Sequence, residues 1–174
     1  IKVIDIDVDP PGFDEVLVKV SAAGLCHSDL SVVNGNRPRA MPMVLGHEGS
    51  GVVASLGEGV DDFEIGDHVV FVFVPSCGNC IPCKEGRPAL CDPGLAAGGA
   101  GTLLSGEKRF RLNGDLINHQ VGVSCFSEFT VVSSKSLVKV EKSLPLDEAA
   151  LFGCAVITGA GAVFNTANIR VGST

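Results

Sequence analysis

The chain has 174 residues, about one domain's worth and enough to bury a sizeable core. Apolar residues make up 45% and charged residues 19%, with a mean hydropathy of +0.36, which excludes a disordered polar chain. The formal net charge is −7 and the basic residues form nothing longer than the pair Lys108-Arg109, which argues against nucleic acid or an anionic membrane as partner.

The N-terminal residues Ile1 to Val8 alternate apolar and polar, as do Glu15 to Val20, and Asp9-Pro10-Pro11-Gly12 separates them: two strands and a turn. No signal peptide is visible in this alternation, and because Ile1 is no initiator the true N-terminus is expected to be missing. A short helix is expected over Cys26 to Val33, ending at Asn34-Gly35, then a Pro-punctuated loop from Arg37 to Pro42. Gly46 to Gly57 reads as a glycine-rich strand open to close approach by backbone or ligand, and His68 to Val74 as the next strand. The run Val69 to Val74 is the longest strongly apolar stretch, far short of the ~20 residues of a membrane span, so no transmembrane helix is expected.

Pro75 to Asp92 carries too many breakers for a regular element, and Gly94 to Gly106 reads as a mobile surface loop. Asn113-Gly114 signals a tight hairpin within Phe110 to Ile117, and Phe126 to Val132 and Leu137 to Val140 read as strands. Helical stretches follow at Leu146 to Ala150 and Ile157 to Asn168. No internal repeat is present.

Seven cysteines cannot form a complete disulfide framework, and their clustering points to metal ligands in a reducing compartment, for which the cytoplasm is the natural location. Cys77, Cys80, Cys83 and Cys91 form Cys-x2-Cys-x2-Cys-x7-Cys on a loop whose glycines and proline favour repeated turns. Four thiolates suit a structural Zn²⁺ and leave no open position for a substrate. Reduced cysteines without metal and an iron–sulfur cluster are the competing readings, but bacterial ferredoxin loops continue with a three-residue spacer and Cys-Pro, whereas here seven residues intervene. Cys26, Cys125, Cys154, His27, His47, His68 and His119 remain. They suffice for a Cys₂His catalytic zinc, but spacing alone does not choose among them, and a lone cysteine in an apolar helix is usually core filling. His47, between Gly46 and Glu48-Gly49, is better placed than the others; an exposed histidine at a strand-edge turn is the alternative.

Five ordered motifs go further: Gly24-Leu25-Cys26-His27-Ser28-Asp29, Leu45-Gly46-His47-Glu48-Gly49-Ser50-Gly51, the four-cysteine loop, Phe126-Ser127-Glu128-Phe129-Thr130-Val131-Val132, and Gly153-Cys154-Ala155-Val156-Ile157-Thr158-Gly159. Over nearly its whole length the chain resembles the N-terminal catalytic domain of zinc-dependent alcohol dehydrogenases of the medium-chain dehydrogenase/reductase family, especially the branch with the class I and class III enzymes. The resemblance implies a mainly β, GroES-like, partly open barrel over residues 1–174 with peripheral helices and a structural-zinc loop at 75–92. It implies two zinc ions per chain, a catalytic one on Cys26, His47 and Cys154 and a structural one on Cys77, Cys80, Cys83 and Cys91. Glu48 would stand beside the catalytic metal and Asp29 behind His47, and Cys125 matches no functional cysteine.

By the same resemblance Ser28 would bond the substrate oxygen and pass its proton on, His27 would approach the pyrophosphate of NAD, Thr158 would lie against the nicotinamide, and Phe73 would wall a pocket for a primary or aromatic alcohol. Ser28 and Thr158 are also residue types that cap helices, and Phe73 one that fills cores. Ser31 stands where some relatives place the histidine ending the proton relay. Arg37 and Leu95 stand where relatives acting on the glutathione adduct of formaldehyde have an acidic and a basic residue, which argues against that activity.

The implied function is hydride transfer between a small alcohol or aldehyde and NAD, the full-length enzyme being a homo-oligomer. The alternatives are a zinc formaldehyde or polyol dehydrogenase, and a non-catalytic zinc-stabilised interaction module, which would hold one zinc with Cys26 and Cys154 too far apart to share another. Gly159-Ala160-Gly161 follows no predicted strand and lacks the third glycine of a dinucleotide fingerprint, so the Rossmann domain is expected to be absent and the chain unable to turn over alone.

Overall fold

The computed structural model describes residues 1–167, 169–170 and 172–173. Asn168, the expected end of the last helix, and Val171 and Thr174 near the C-terminus lie outside the described residues. The expected mainly β architecture is found, as two sheets. A five-stranded antiparallel sheet runs β8-β2-β4-β5-β9, with β2 at Glu15–Ala23, β4 at Gly49–Leu56, β5 at His68–Phe71, β8 at Phe129–Ser133 and β9 at Leu137–Val140. A smaller sheet runs β1-β6-β7-β3, with β1 at Asp7–Val8, β3 at Met43–Val44, β6 at Phe110–Leu112 and β7 at Asp115–His119. Among the described residues only the β3–β7 pair is parallel.

The period-two pattern of β2 explains its place. Val16 and Val18 are fully buried while Lys19 faces solvent, and they join Val53, Val69, Phe71 and Val132 in one apolar cluster. Each such side chain removed from water contributes about 1.5–3 kcal/mol. Glu15, buried at the start of β2, would offset part of that gain were it unpaired. Its carboxylate instead accepts the Gly12 N–H at 2.8 Å, the Arg109 Nε–H at 2.6 Å and the Ser105 hydroxyl at 2.7 Å.

Several expectations need correction. The first strand shrinks to β1, because its partner β6 is three residues long and no strand among the described residues pairs with residues 1–6. The cysteine loop contains a short helix, α2 (Ile81–Lys84), with proline in its first turn, and a 3₁₀ turn at Pro88–Leu90. The stretch expected as a mobile loop begins with a helix, α3 (Asp92–Ala100), whose first turn is capped by the Cys91 sulfur accepting the Gly94 N–H. Leu103, just beyond it, is fully buried. The Asn113-Gly114 hairpin forms as expected between β6 and β7.

The two C-terminal helical stretches are one helix, α4 (Leu146–Thr166), of 21 residues. By length and composition it is apolar enough to cross a membrane, which the sequence expectation missed because glycines and threonine dilute any single apolar run. Its first half is committed to the barrel. The Ser50 hydroxyl donates to the Leu146 carbonyl, and Gly153 lies so close to β5 that a Cβ there would stand 2.0 Å from the Phe71 carbonyl oxygen.

Candidate metal centres

The pairing of β2 with β4 builds the first centre. The ladder ends with Ala23 opposite Gly49 and is prolonged by the Gly24 N–H donating to the Glu48 carbonyl at 2.8 Å, so the residues leaving β2 meet those entering β4. Cys26 is the cap of α1 (His27–Val33), and its N–H donates to Asp29 Oδ2 at 3.0 Å. The other Asp29 oxygen receives His47 Nδ1 at 2.8 Å, which leaves His47 Nε2 facing the Cys154 sulfur at 3.6 Å. His47 is therefore buried rather than exposed at a turn. Cys26 Sγ, a ring nitrogen of His47 and Cys154 Sγ all lie within 4.8 Å of one another.

Glu48 explains how α4 presents Cys154. Its Oε1 accepts the Ala155 N–H at 2.9 Å, and the Leu151 carbonyl bonds the Val156 N–H at 3.0 Å. The carboxylate has inserted into the helical ladder, and Phe152–Val156 takes π geometry around Cys154.

The electrostatics suit a cation. Burial alone would raise the Cys26 thiol, but its bonds with Ser28 and the neighbouring His47 pull it below the usual value. Burial, and then the negative charge of Cys26 and Glu48, push Cys154 up to about 11. Burial opposes charge on both Asp29 and His47, yet their mutual bond lowers the carboxyl and raises the imidazole. Two thiols that resist ionising together, with an imidazole oriented by a carboxylate, are relieved by a divalent metal, and a tetrahedral Zn²⁺ with ~2.3 Å bonds to sulfur needs donors only ~3.8 Å apart. The residues fit zinc, with three protein ligands among the described residues.

The second centre lies in the α2 loop, where Cys77, Cys80, Cys83 and Cys91 bring their sulfurs within 4.8 Å of one another. Backbone N–H groups of Asn79 and Cys80 point at the Cys77 sulfur, both at 3.4 Å, and pull its pKa down to about 6. Burial, then the neighbouring Cys80 thiol, pushes Cys83 up to about 12. Four soft donors closing on one point fit a structural zinc. Cys125 joins neither centre: it is a core thiol beside Glu48, pushed up to about 12 mainly by burial. All seven cysteines are free.

The alcohol dehydrogenase GroES-like domain model matches residues 12–142. The chain belongs to this family. Among curated relatives of the GroES-like alcohol dehydrogenases it is 43% identical to the class-3 alcohol dehydrogenase of Drosophila melanogaster over 171 residues, 98% of this chain and 45% of that protein. It is 42% identical to the S-(hydroxymethyl)glutathione dehydrogenase of Synechocystis over 173 residues, 99% of this chain and 47% of that one. The chain thus spans about half the length of the curated relatives it matches. Among solved structures, an alcohol dehydrogenase zinc-binding domain protein from Burkholderia ambifaria superposes with a TM-score of 0.87 at 38% identity, over 96% of this chain and 45% of that one. Benzyl alcohol dehydrogenase from Acinetobacter calcoaceticus does so with 0.82 at 36%, over 92% and 43%.

The other residues singled out from the sequence are distributed as follows. Ser28 does not cap α1, a place Cys26 takes; its Oγ lies 3.2 Å from the Cys26 sulfur. His27 is exposed, its Nδ1 3.4 Å from the Ser31 hydroxyl, which itself donates to the His27 carbonyl at 3.0 Å. Thr158 is exposed on α4, four residues beyond Cys154. Phe73 meets the His47 ring edge-on, with centroids 5.6 Å apart. Arg37 and Leu95 are both exposed. Gln120, absent from the candidates drawn from the sequence, is buried against Asp29. The signal for it was Asn118-His119-Gln120, three consecutive polar residues ending a strand.

Proposed function

We propose that this chain is the catalytic domain of an NAD-dependent zinc alcohol dehydrogenase acting on a small primary or aromatic alcohol, or on the corresponding aldehyde. The convergence of Cys26, His47 and Cys154, with Asp29 behind the imidazole and no fourth protein donor among the described residues, carries the reading. Cys77, Cys80, Cys83 and Cys91 would hold a second, structural zinc within the loop at 75–92. Alcohol oxidation removes a proton from oxygen and a hydride from carbon, and a bound NAD would supply the hydride acceptor. Cys26, His47 and Cys154 would hold a zinc ion, which would supply Lewis-acid polarisation of the alcohol or aldehyde oxygen.

The chain's own groups do the rest. Ser28, with its hydroxyl beside Cys26, takes the proton released from the substrate oxygen, and His27 and Thr158 on the outer side contact the dinucleotide. Ser31 replaces a relay histidine, so the proton leaves through water or His27. Phe73 shields the ligand cluster from water. Together with Phe63, Leu137, Val138 and Ile157 it also lines a half-open groove of about 620 Å³ that none of the three ligands lines. Arg37 and Leu95 disfavour the glutathione adduct. Seven free cysteines agree with a reducing, cytoplasmic location, and assembly of the whole enzyme as a homo-oligomer is carried over from the family.

Elemental analysis tests the reading, with protein quantified by amino-acid analysis because Trp and Tyr are absent. Two zinc per chain, falling to one in Cys154→Ser, is expected; one zinc in the unaltered chain would overturn the catalytic assignment. In the cobalt-substituted protein, benzyl alcohol or its aldehyde should perturb the visible bands of the Cys26–His47–Cys154 centre, while the glutathione adduct of formaldehyde should not.

A further inference from the structure

We infer that Gln120 is a positioning residue for the three-ligand metal centre, holding His47 from two directions with one amide; this rests on the zinc reading above. The side chain is buried, with 4% of its surface exposed. Its Nε2 donates to Asp29 Oδ1 at 2.9 Å, the same oxygen that receives His47 Nδ1, and its Oε1 accepts the Gly46 N–H at 2.5 Å, on the residue immediately before His47. One side chain therefore fixes both the carboxylate that orients the imidazole and the peptide that launches it. Its oxygen must face the Gly46 donor, so its nitrogen must face the carboxylate, and the orientation of the amide is determined.

The backbone around it leaves little slack. Gly46 sits at φ +97, and a Cβ there would stand 2.5 Å from the Phe126 backbone nitrogen, so the peptide before His47 has one place to be. Gln120 is anchored in turn, its N–H donating to the Ser124 hydroxyl at 2.8 Å while that hydroxyl donates to the Val44 carbonyl at 2.7 Å. Asp29 Oδ2 is already occupied by the Cys26 N–H. Removing the Gln120 amide leaves Asp29 held by the Cys26 N–H and His47 alone and frees the Gly46 peptide, and so loosens the imidazole ligand from both sides.

The test is cobalt(II) binding by the protein carrying Gln120→Met, which keeps the volume and removes both bonds, and Gln120→Glu, which keeps an acceptor for Gly46 and removes the donor to Asp29. The four-cysteine centre is the internal reference for folding. Both variants are expected to bind cobalt there as the unaltered protein does, but about tenfold more weakly at Cys26–His47–Cys154, with shifted visible bands at that centre alone. Unchanged affinity and bands in Gln120→Met overturn the proposal while leaving the zinc reading intact. If Gln120→Met loses the four-cysteine centre as well, Gln120→Glu decides by the same criterion. Uptake of only one cobalt by the unaltered protein overturns the zinc reading and this proposal together.

Discussion

Glu15 shows what a single buried charge does in this barrel. With three donors on its carboxylate it ties the start of β2 to the turn before it and to the residues preceding β6. Glu15→Ala leaves the Arg109 guanidinium, only one-fifth exposed, without its partner, and a broken buried pair costs about 3–5 kcal/mol. Urea unfolding should show a loss of that order, whereas Asp62→Ala, which removes a 3.9 Å pair between exposed groups, should change stability by less than about 0.5 kcal/mol. At this scale the sequence was uneven. The four-cysteine spacing was readable from residue types alone, because a short loop must bring its own ligands together. Cys26, His47 and Cys154 were not, because the β2–β4 register and the docking of α4 unite them, and neither leaves a local spacing. Glu48 was placed beside the metal by resemblance, yet its direct partner is the Ala155 peptide, a contact no side-chain pattern records.

Between elements, α4 carries the third ligand and two features hold it in place. Glu48 takes the Ala155 N–H out of the helical ladder, and Gly153 allows α4 to touch β5. Glu48→Ala should return that N–H to the ladder, straighten the turn around Cys154 and weaken metal binding at the three-ligand centre about tenfold, while Glu48→Gln, which keeps an acceptor, should retain most of it. Gly153→Ala pushes α4 away from a backbone oxygen that cannot retreat, so a metal titration should find the four-cysteine centre filled and the other lost. The strands with clean alternation, β2 above all, were legible because one face is buried and a slip of one residue would expose it. The helix α3 was missed because its glycines and alanines read as loop, while its cap is a cysteine sulfur and its first turn contains a proline. The first strand was over-extended because alternation says nothing about whether a partner strand exists.

For the whole molecule, acid stability turns on His119. The ring is fully buried against Phe110, Nε2 accepts the Arg109 N–H at 3.0 Å, and Nδ1 has no partner among the described residues. Burial, then the nearby Lys108 and Arg109 charges, lowers its pKa to about 3. The unfolded chain takes up this proton near the ordinary imidazole value of 6.5 and the folded chain does not, so stability is lost as pH falls from about 6.5 towards about 3. The loss reaches on the order of 4 kcal/mol at the low end. His119→Gln keeps an acceptor and removes the titration; urea unfolding at pH 7 and pH 4 should show a smaller drop for this variant than for the unaltered chain. The mainly β architecture was legible at this scale through turn chemistry and short alternating runs. The length of α4 was not, since its apolar residues are interleaved with glycine and threonine.

The two centres also differ in how much chain each must gather. The four cysteines close a loop of roughly 15 residues, whereas Cys26 and Cys154 are separated by roughly 130, and joining the longer span costs about 2 kcal/mol more chain entropy. The cysteine lobe can therefore capture its ion while the barrel is still forming, and the other ion must wait until β4 has paired and α4 has docked. Metal loading is thus expected to be sequential, with occupancy of the second centre reporting that assembly of the barrel is complete.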